Sequence, residues 1–570
     1  MKLKKRQVKL FNQLVKFIKN KDDKKQFLLE GEGGAGKTFC VSYTLLKLIL
    51  KKYFNSCNLH FIAPTNAAKK VLRKTIQSLL NNDSEAFEKY QKHMNKERSI
   101  SYNTIHSFFK SKRTYDEEGN QRFEIIWNKS VMTEMMKEQI ELEKHDPSIK
   151  PNKKDLIILD EVSMLDPEKY GLFQKLLEQH PNTKIIYMGD RNQLSYVDTS
   201  GELRELNYLS PVFTDVTEYF LLKGNERTDD EKITKIINKA KKCVVNNKYK
   251  FVLTKKDLSE NVRVITDKEL INDEKIIDFI KENKPKILTY SNKRRDKLNN
   301  QVRHMIYTKD NVYIDRYLYL EGEEIIFENT YMLDSITYHN TDEAKVKSVK
   351  YDIMERISFL GIFSRMFLLQ KMELEGDNTQ LYQIGKEHLP TFKLMINVLK
   401  KSVKDFFGFN PNRAKFTSKP SCKCEFCNEN RTSFKTYYND KEKICQGCYM
   451  KVREYIKKRF FCKSCNRVEM KNHNCSYAAL SSRSREKKFI FNEMFESVCD
   501  LENKYNLPVA YSYAITVYKS QGSTYENVII DYDNIYMCNK NSTKNLTRAM
   551  YVAVSRVQKR LWFLNYSYNK

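Results

Sequence analysis

Along the first two hundred residues, apolar positions fall in short, near-continuous runs, each closed by a polar turn. Gln26-Phe-Leu-Leu-Glu30 predicts a short buried strand, and the Leu- and Val-rich run from Thr38 to Leu50 predicts a helix behind it. Leu59–Ala63, Asp155-Leu-Ile-Ile-Leu159 and Lys184-Ile-Ile-Tyr-Met188 read as further strands. Strands alternating with helices point to an open α/β sheet, whose ligands sit at the carboxyl edge. From Phe109 to Lys154 the chain turns polar, with Arg113-Thr-Tyr-Asp-Glu-Glu-Gly119 as a hairpin turn. Asn311 to Val349 alternates apolar and polar residues and predicts strands. Residues 350–405 are expected to be mainly helical, on the recurrence through Ile353-Met-Glu-Arg-Ile-Ser-Phe-Leu360. No apolar run reaches roughly 18 residues, and the basic start Met1-Lys-Leu-Lys-Lys-Arg6 leads into no apolar segment, so neither a membrane span nor a signal peptide is expected.

Composition sharpens this picture in two places. The chain has 570 residues, 41% of them hydrophobic, enough for several folded domains. Lys and Arg exceed Asp and Glu by 29, an imbalance that points to a polyanionic partner, above all nucleic acid. The abundance of Asn, Lys, Tyr and Ile throughout dilutes that argument a little. Eight of the 13 cysteines lie between Cys422 and Cys475, a local cluster that favours metal over a disulfide framework.

Gly31-Glu32-Gly33-Gly34-Ala35-Gly36-Lys37-Thr38 fits G-x-x-x-x-G-K-[ST] at every fixed position and lies between the predicted strand and helix, as that pattern requires. The glycines let backbone N–H groups face a β-phosphate. Lys37 is expected on the β- and γ-phosphates and Thr38 on Mg2+. Asp160, at the end of an apolar strand, offers a carboxylate to the same ion, and Glu161 a base for the attacking water. Gln193 follows the next strand in Gly189-Asp190-Arg-Asn-Gln193-Leu194 and is long enough to sense a γ-phosphate. Pro64, Thr65, Thr104 and His106 follow Leu59–Ala63 and Asn103, where hydroxyls and backbone N–H groups can meet a nucleic acid backbone. Phe108 can stack on a base, although a pair such as Phe108-Phe109 is also ordinary core.

In this order the segments resemble the motifs of superfamily 1 helicases, in the 5′-to-3′ branch called 1B, and within it the group of Dda-like, RecD-like and Pif1-like enzymes. Residues 28–38, 61–68, 103–107, 156–161 and 189–194 match motifs I, Ia, Ib, II and III. Leu3-Lys-Lys-Arg-Gln7 with Phe11 resembles the adenine-contacting Q motif, with Gln7 as reader. Leu221-Leu-Lys-Gly-Asn-Glu-Arg227 resembles motif IV, which implies Arg227 on the γ-phosphate. Ile287-Leu-Thr289-Tyr-Ser-Asn292 resembles a nucleic-acid-contacting strand of the second motor domain. Tyr513-Ala-Ile-Thr516-Val-Tyr-Lys519-Ser520-Gln521-Gly522-Ser-Thr524 resembles motif V, with Tyr518 where this family often has His. Tyr551-Val-Ala-Val-Ser555-Arg556 resembles motif VI, which makes Arg556 the arginine finger.

The resemblance implies two RecA-like P-loop motor domains of α/β class carrying small inserted domains. The expected boundaries are 1–230 for the first motor domain, with a 1B pin insertion at about 108–154, and 231–308 with 509–570 for the second. Between them are expected an SH3-like 2B region with a helical extension at 309–420, a zinc module at 421–480 and a helical return at 481–508. An arginine supplied across the cleft by the far end of the chain would couple closure to ATP and opening to hydrolysis. The expected activity is ATP-driven, 5′-to-3′ translocation on single-stranded DNA, with unwinding of tailed or forked duplexes by a monomer, at intracellular sites of replication, recombination or repair. The competing readings are an RNA helicase of the same superfamily and a nucleic-acid-stimulated remodeler that never separates strands.

Paired short cysteine spacings bring two ligands to one ion from a tight knuckle. Two structural zinc sites are expected: Cys424, Cys427, Cys445 and Cys448, with Cys422 competing for a place, and Cys462, Cys465, His473 and Cys475. Filled coordination leaves no open position for a catalytic zinc, which argues against a zinc nuclease. A zinc-stapled basic module there can grip DNA or dock a protein partner.

Overall fold

A computed structural model describes residues 3–20, 24–50, 57–64, 66–81, 88, 100–109, 112–115, 121–124, 154–195, 209–307, 314, 316–329, 331–333, 336–338, 342–376, 379–407, 416–424, 426–436, 443–460 and 483–566. The chain divides into two compact units. One comprises Met1–Lys110, Ile126–Lys309 and Tyr511–Lys570, the other Ser111–Ile125 and Asp310–Ala510.

The first unit holds two parallel sheets. The strands of the first are β1 (Gln26–Gly31), β2 (Cys57–Ala63), β3 (Ile100–Thr104), β4 (Lys154–Leu159), β5 (Lys184–Gly189) and β6 (Tyr219–Leu222), in the order β3-β2-β4-β5-β1-β6. Every pairing is parallel. Leu156–Leu159 and Ile185–Met188 are buried throughout, as a parallel strand covered on both faces must be. Parallel neighbours need crossovers, and helices provide them. Helix α1 (Lys5–Lys19) and α2 (Lys37–Leu50) cover this sheet: Leu10, Leu14, Phe17 and Ile18 recur at helical spacing and share one core with Phe27, Leu29, Val41 and Leu45.

The second sheet contains β7 (Val262–Ile265), β8 (Lys286–Thr289), β9 (Ala514–Thr516), β10 (Tyr525–Asp531) and β11 (Val557–Leu564), ordered β9-β8-β10-β11-β7 and again all parallel. Two of its strands precede residue 310 and three follow residue 510, so the chain leaves this lobe and returns to complete it. Ile287, Leu298, Ile529 and Trp562 form its core. Helix α3 (Thr543–Val554) starts at Ser542, whose hydroxyl accepts from the Asn545 N–H, and is buried from Asn545 to Val554.

The second unit is built differently. The segment Glu343–Phe359 pairs antiparallel with Phe363–Leu374, which pairs with Gln380–Ile384, and the sheet continues through Glu324–Phe327. This corrects the expectation of helices through 350–405: only Leu389–Phe407 is helical there. Ile353, Ile357 and Leu360 do carry a helical spacing, but Ile357 and Phe359 point inward in alternation and pair with a strand that a local window cannot see. Leu360 and Gly361, both at positive φ, close the hairpin. Helices Gln446–Phe460 and Arg483–Tyr505 follow. Strands Lys112–Tyr115 and Gln121–Glu124 pair antiparallel around the expected hairpin turn, whose residues 116–120 lie outside the described set.

Candidate active site

The loop after β1 is shaped by its glycines. Gly34 and Gly36 adopt φ of +86° and +83°, the left-handed region that disfavours a side chain. A Cβ on Gly34 would also lie 2.6 Å from Asn225 Oδ1. Across the loop, Lys37 Nζ donates to the carbonyls of Gly31 at 2.7 Å and Glu32 at 3.1 Å. Gly33 and the buried Ala35 belong to the same loop. Gln7, on the first turn of α1, accepts from the Lys4 N–H, and its Nε2 stands 3.3 Å from where a Cβ of Gly36 would lie. The side chain expected to read adenine therefore touches the phosphate loop.

Thr38 Oγ1 donates to Asp160 Oδ2 at 3.2 Å. Burial, and then the charge of Glu161, push the Asp160 carboxyl up to about 6, while Lys37 and the hydrogen bonds from Glu161 and Thr38 oppose them. Two hard oxygens at about 3 Å suit adjacent positions of an octahedral Mg2+, whose charge would hold Asp160 ionised, so Thr38 and Asp160 fit that ion. Glu161 has φ of +51°, a left-handed conformation unusual for a non-glycine residue, and sits just before a single 3₁₀ turn, Val162–Met164. Backbone strain of this kind, at a carboxylate beside a phosphate loop, is the sort that active sites retain.

The turn after β5 faces the same loop. Asp190, buried, accepts from the Gly33 N–H at 3.1 Å and from the Tyr551 hydroxyl at 2.8 Å. Gln193 is 2% exposed, and its Oε1 is a buried acceptor with no hydrogen-bond partner among the described residues. Buried polar atoms of that kind call for a ligand.

The second lobe completes the site. Arg556, 1% exposed, donates to the carbonyls of Val552 and Ser523 and to Ser555 Oγ, and its Nη2 lies 3.6 Å from where a Cβ of Gly33 would stand. Arg227 donates to the Ser555 carbonyl. Burial, then the charge of Arg556, lower its pKa to about 9. Among the described residues, neither arginine forms an ion pair with a carboxylate. A fully buried guanidinium, Arg556, and a half-buried one, Arg227, beside a glycine loop form a site shaped for an anion. Gly522, at φ of +77°, lies in the turn that brings Gln521 Nε2 to the Leu194 carbonyl at 3.1 Å.

Three residues of this junction escaped the sequence reading as site residues: Arg548, Tyr551 and Gln521. Arg548 donates to the Gln193 carbonyl and, at 2.7 Å, to Ser195 Oγ. It lies three residues before Tyr551, so one face of α3 meets the post-β5 turn twice. Helical spacing marks the shared face; nothing local marks its target.

The residues expected on nucleic acid are placed unevenly. Thr516 and Lys519 lie in one turn, where the Lys519 N–H meets Thr516 Oγ1 at 3.4 Å, and Asn292 opens a helix after β8. Pro64 and Thr104 end β2 and β3 at the carboxyl edge and are half-buried. Thr289 and Ser520 are fully buried, with hydroxyls bonded to the Ile515 and Val517 carbonyls inside the lobe. Phe108 is half-buried and packs against His60, Phe109 and Phe173. Thr65 and the His106 side chain lie outside the described set.

In the second unit, Cys424, Cys427, Cys445 and Cys448 place all four sulfurs within 4.8 Å of one another. Cys427 and Cys445 are 3.9 Å apart, close to the roughly 3.8 Å edge of a tetrahedron with metal–sulfur bonds of about 2.3 Å. The hydrogen bond shared with Cys448 lowers the Cys424 thiol to about 4 and raises Cys448 far above the usual thiol range. Cys422 is not part of that four-sulfur group, and it accepts from Lys443 Nζ at 3.2 Å. The second expected set, Cys462, Cys465, His473 and Cys475, lies outside the described residues.

Comparison with known proteins agrees with this geometry. The family model of an AAA domain matches residues 15–199, and that of a UvrD-like helicase C-terminal domain matches 511–564. The uncharacterized protein R530 of Acanthamoeba polyphaga mimivirus is 23% identical over 97% of this chain and 98% of its own. The ATP-dependent DNA helicase Dda of Enterobacteria phage T4 is 28% identical over 60% of this chain, a match spanning 66% of Dda. Pif1 helicase from Bacteroides, solved with ADP-AlF3 and single-stranded DNA, aligns over 99% of this chain and 93% of its own at 13% identity, with a TM-score of 0.43. The AAA-domain model and the UvrD-like helicase C-terminal model thus match, at the two ends of the chain, the two lobes whose side chains meet at one glycine loop, and over 60% of its length the chain is similar to Dda.

Proposed function

We propose that this chain hydrolyses Mg-ATP to move 5′ to 3′ along single-stranded DNA and to unwind the duplex ahead of it. The observation that carries the reading is the pair of arginines, buried Arg556 and half-buried Arg227, at the junction with Gly33. An anion between them relieves their mutual repulsion, so ATP favours closure of the lobes and loss of the γ-phosphate favours opening. In this reading the amides of Gly31–Gly36 and the Lys37 ammonium hold the phosphates, and Gln7 reads the base. Thr38 and Asp160 hold Mg2+, which supplies charge neutralisation on the β- and γ-phosphates. Glu161 takes the proton of the attacking water, Gln193 senses the γ-phosphate, and both arginines stabilise the charge developing there.

Asn292, Thr516, Lys519, Pro64, Thr65, Thr104 and His106 meet the DNA backbone in this scheme. DNA is favoured over RNA by the likeness to Dda, named a DNA helicase. The excess of 29 basic residues suits either nucleic acid. The motor-domain boundaries at about 230, 308 and 509 follow the same scheme, as does a pin within the 108–154 insertion. Cys424, Cys427, Cys445 and Cys448 hold a structural zinc, and the downstream Cys-His set a second. A monomeric motor at sites of replication or repair, with a protein partner on the zinc module, completes the proposal.

The test is unwinding of matched duplexes carrying a 5′ or a 3′ single-stranded tail, each made in DNA and in RNA. Unwinding of the 5′-tailed DNA alone is expected. Equal unwinding of RNA overturns the substrate, use of 3′ tails overturns the polarity, and strong ATPase stimulation with no unwinding favours a remodeler.

A further inference from the structure

The thiol cluster is not a pendant knuckle. Cys424, Cys445, Cys448, Tyr449, Val452 and Ile456 share one continuous core with Phe407, Phe491 and Phe495. The sulfur-bearing helix Gln446–Phe460 packs on helix Leu389–Phe407, which packs on helix Arg483–Tyr505. Each joint is specific. At the first, buried Lys435, on a strand of the thiol module, and Tyr449 both donate to Asp405 Oδ2, and Arg453 lies over the Phe406 ring. At the second, Lys400 pairs with Glu502 at 2.5 Å and the Phe407 ring meets Phe491 edge-on at 5.9 Å. The far helix then lies against the hairpin strand Lys112–Tyr115. Ser111–Ile125 accordingly clusters with the inserted unit and not with the lobe from which it projects in sequence.

We propose that the metal-bound thiol cluster buttresses the 112–124 hairpin through these two helices, so that zinc controls strand separation and not ATP turnover. The inference rests on the helicase and zinc readings above. The physical ground is that a two-stranded hairpin is marginal alone and takes its rigidity from what it packs against. An ion held by all four sulfurs ties the Cys424–Cys427 knuckle to Cys445 and to the first turn of helix Gln446–Phe460, a tie that is lost with the metal. Loss of the ion loosens the first helix, and two rigid joints carry the change to the hairpin.

The experiment compares the full chain before and after zinc removal by a chelator, with zinc added back, and reads four quantities: bound zinc, deuterium uptake of hairpin peptides, single-strand-stimulated ATP turnover and unwinding of a forked duplex. Zinc loss should speed hairpin exchange several-fold and lower unwinding at least tenfold, while exchange around Gly31–Thr38 and ATP turnover stay within about twofold. Readdition should restore the hairpin. Phe407→Leu, which trims the second joint and replaces none of the four thiols, should keep its zinc yet show faster hairpin exchange. Zinc leaving with hairpin exchange unchanged overturns the buttress but leaves the metal site standing. Parallel loss of turnover and unwinding also overturns it. A chain that binds no zinc refutes the metal site itself, and absence of ATPase before treatment refutes the helicase reading.

Discussion

In the proposed scheme Arg227 and Arg556 serve the γ-phosphate at the expense of stability. Burial and like charge hold the folded pKa of Arg227 below its unfolded value, at about 9. For a base shifted down, the penalty of keeping the proton is complete below the folded pKa and fades as pH rises from there towards the unfolded value. At neutral pH the nucleotide-free chain therefore bears the whole penalty. Arg227→Met should stabilise it by on the order of 1 kcal/mol in thermal unfolding while ATP turnover is lost. A drop in melting temperature with turnover retained contradicts this. Glu161→Gln keeps the shape and removes the base: nucleotide binding should persist within a few-fold and kcat should fall by about 10² to 10⁴. Gly34→Ala meets both the positive φ and the 2.6 Å approach to Asn225 Oδ1, so a stability loss of roughly 1 to 3 kcal/mol and weaker ATP binding are expected by calorimetry.

At the scale of elements, the proposed scheme makes the junction between α3 and the post-β5 turn the link from nucleotide to motion. Tyr551 reaches Asp190 and Arg548 reaches Gln193 and Ser195 from one helix face. Tyr551→Phe removes one hydroxyl and leaves the Gly33 N–H bonded to Asp190. It should cost about 1 kcal/mol in stability and lower DNA stimulation of ATP turnover about fivefold, with little change in KM for ATP. A proportional rise in KM would mean that the hydroxyl serves binding and not coupling. The strands and the helix flanking the phosphate loop were legible because apolar runs such as Leu156–Leu159 and Ile185–Met188 stand between polar turns. The long hairpin Glu343–Leu374 was not: Ile353 and Ile357 satisfy two periodicities, and the choice falls to a partner strand beginning only at Phe363. Phe108 carried two readings, platform and core, and its contacts with the rings of His60 and Phe173 were not marked by any local pattern.

For the whole molecule, motif order along the sequence picked out candidate residues in both lobes, because spacing within each motif is local. Their meeting was legible only through resemblance, since Gly33 and Tyr551 are 518 residues apart. Of the metal ligands, the set Cys424, Cys427, Cys445 and Cys448 could be partitioned by spacing, whereas leaving Cys422 outside it needed the folded positions of the sulfurs. The central claim is that the second lobe completes an ATP site begun by the first. Single-turnover ATP hydrolysis by Arg556→Ala in the presence of single-stranded DNA tests it most directly. An arginine acting on the transferring phosphoryl group predicts nucleotide affinity within a few-fold of wild type and a hydrolysis rate lower by about 10³ or more. A hydrolysis rate near wild type would mean that the first lobe acts alone and that the junction described here is packing.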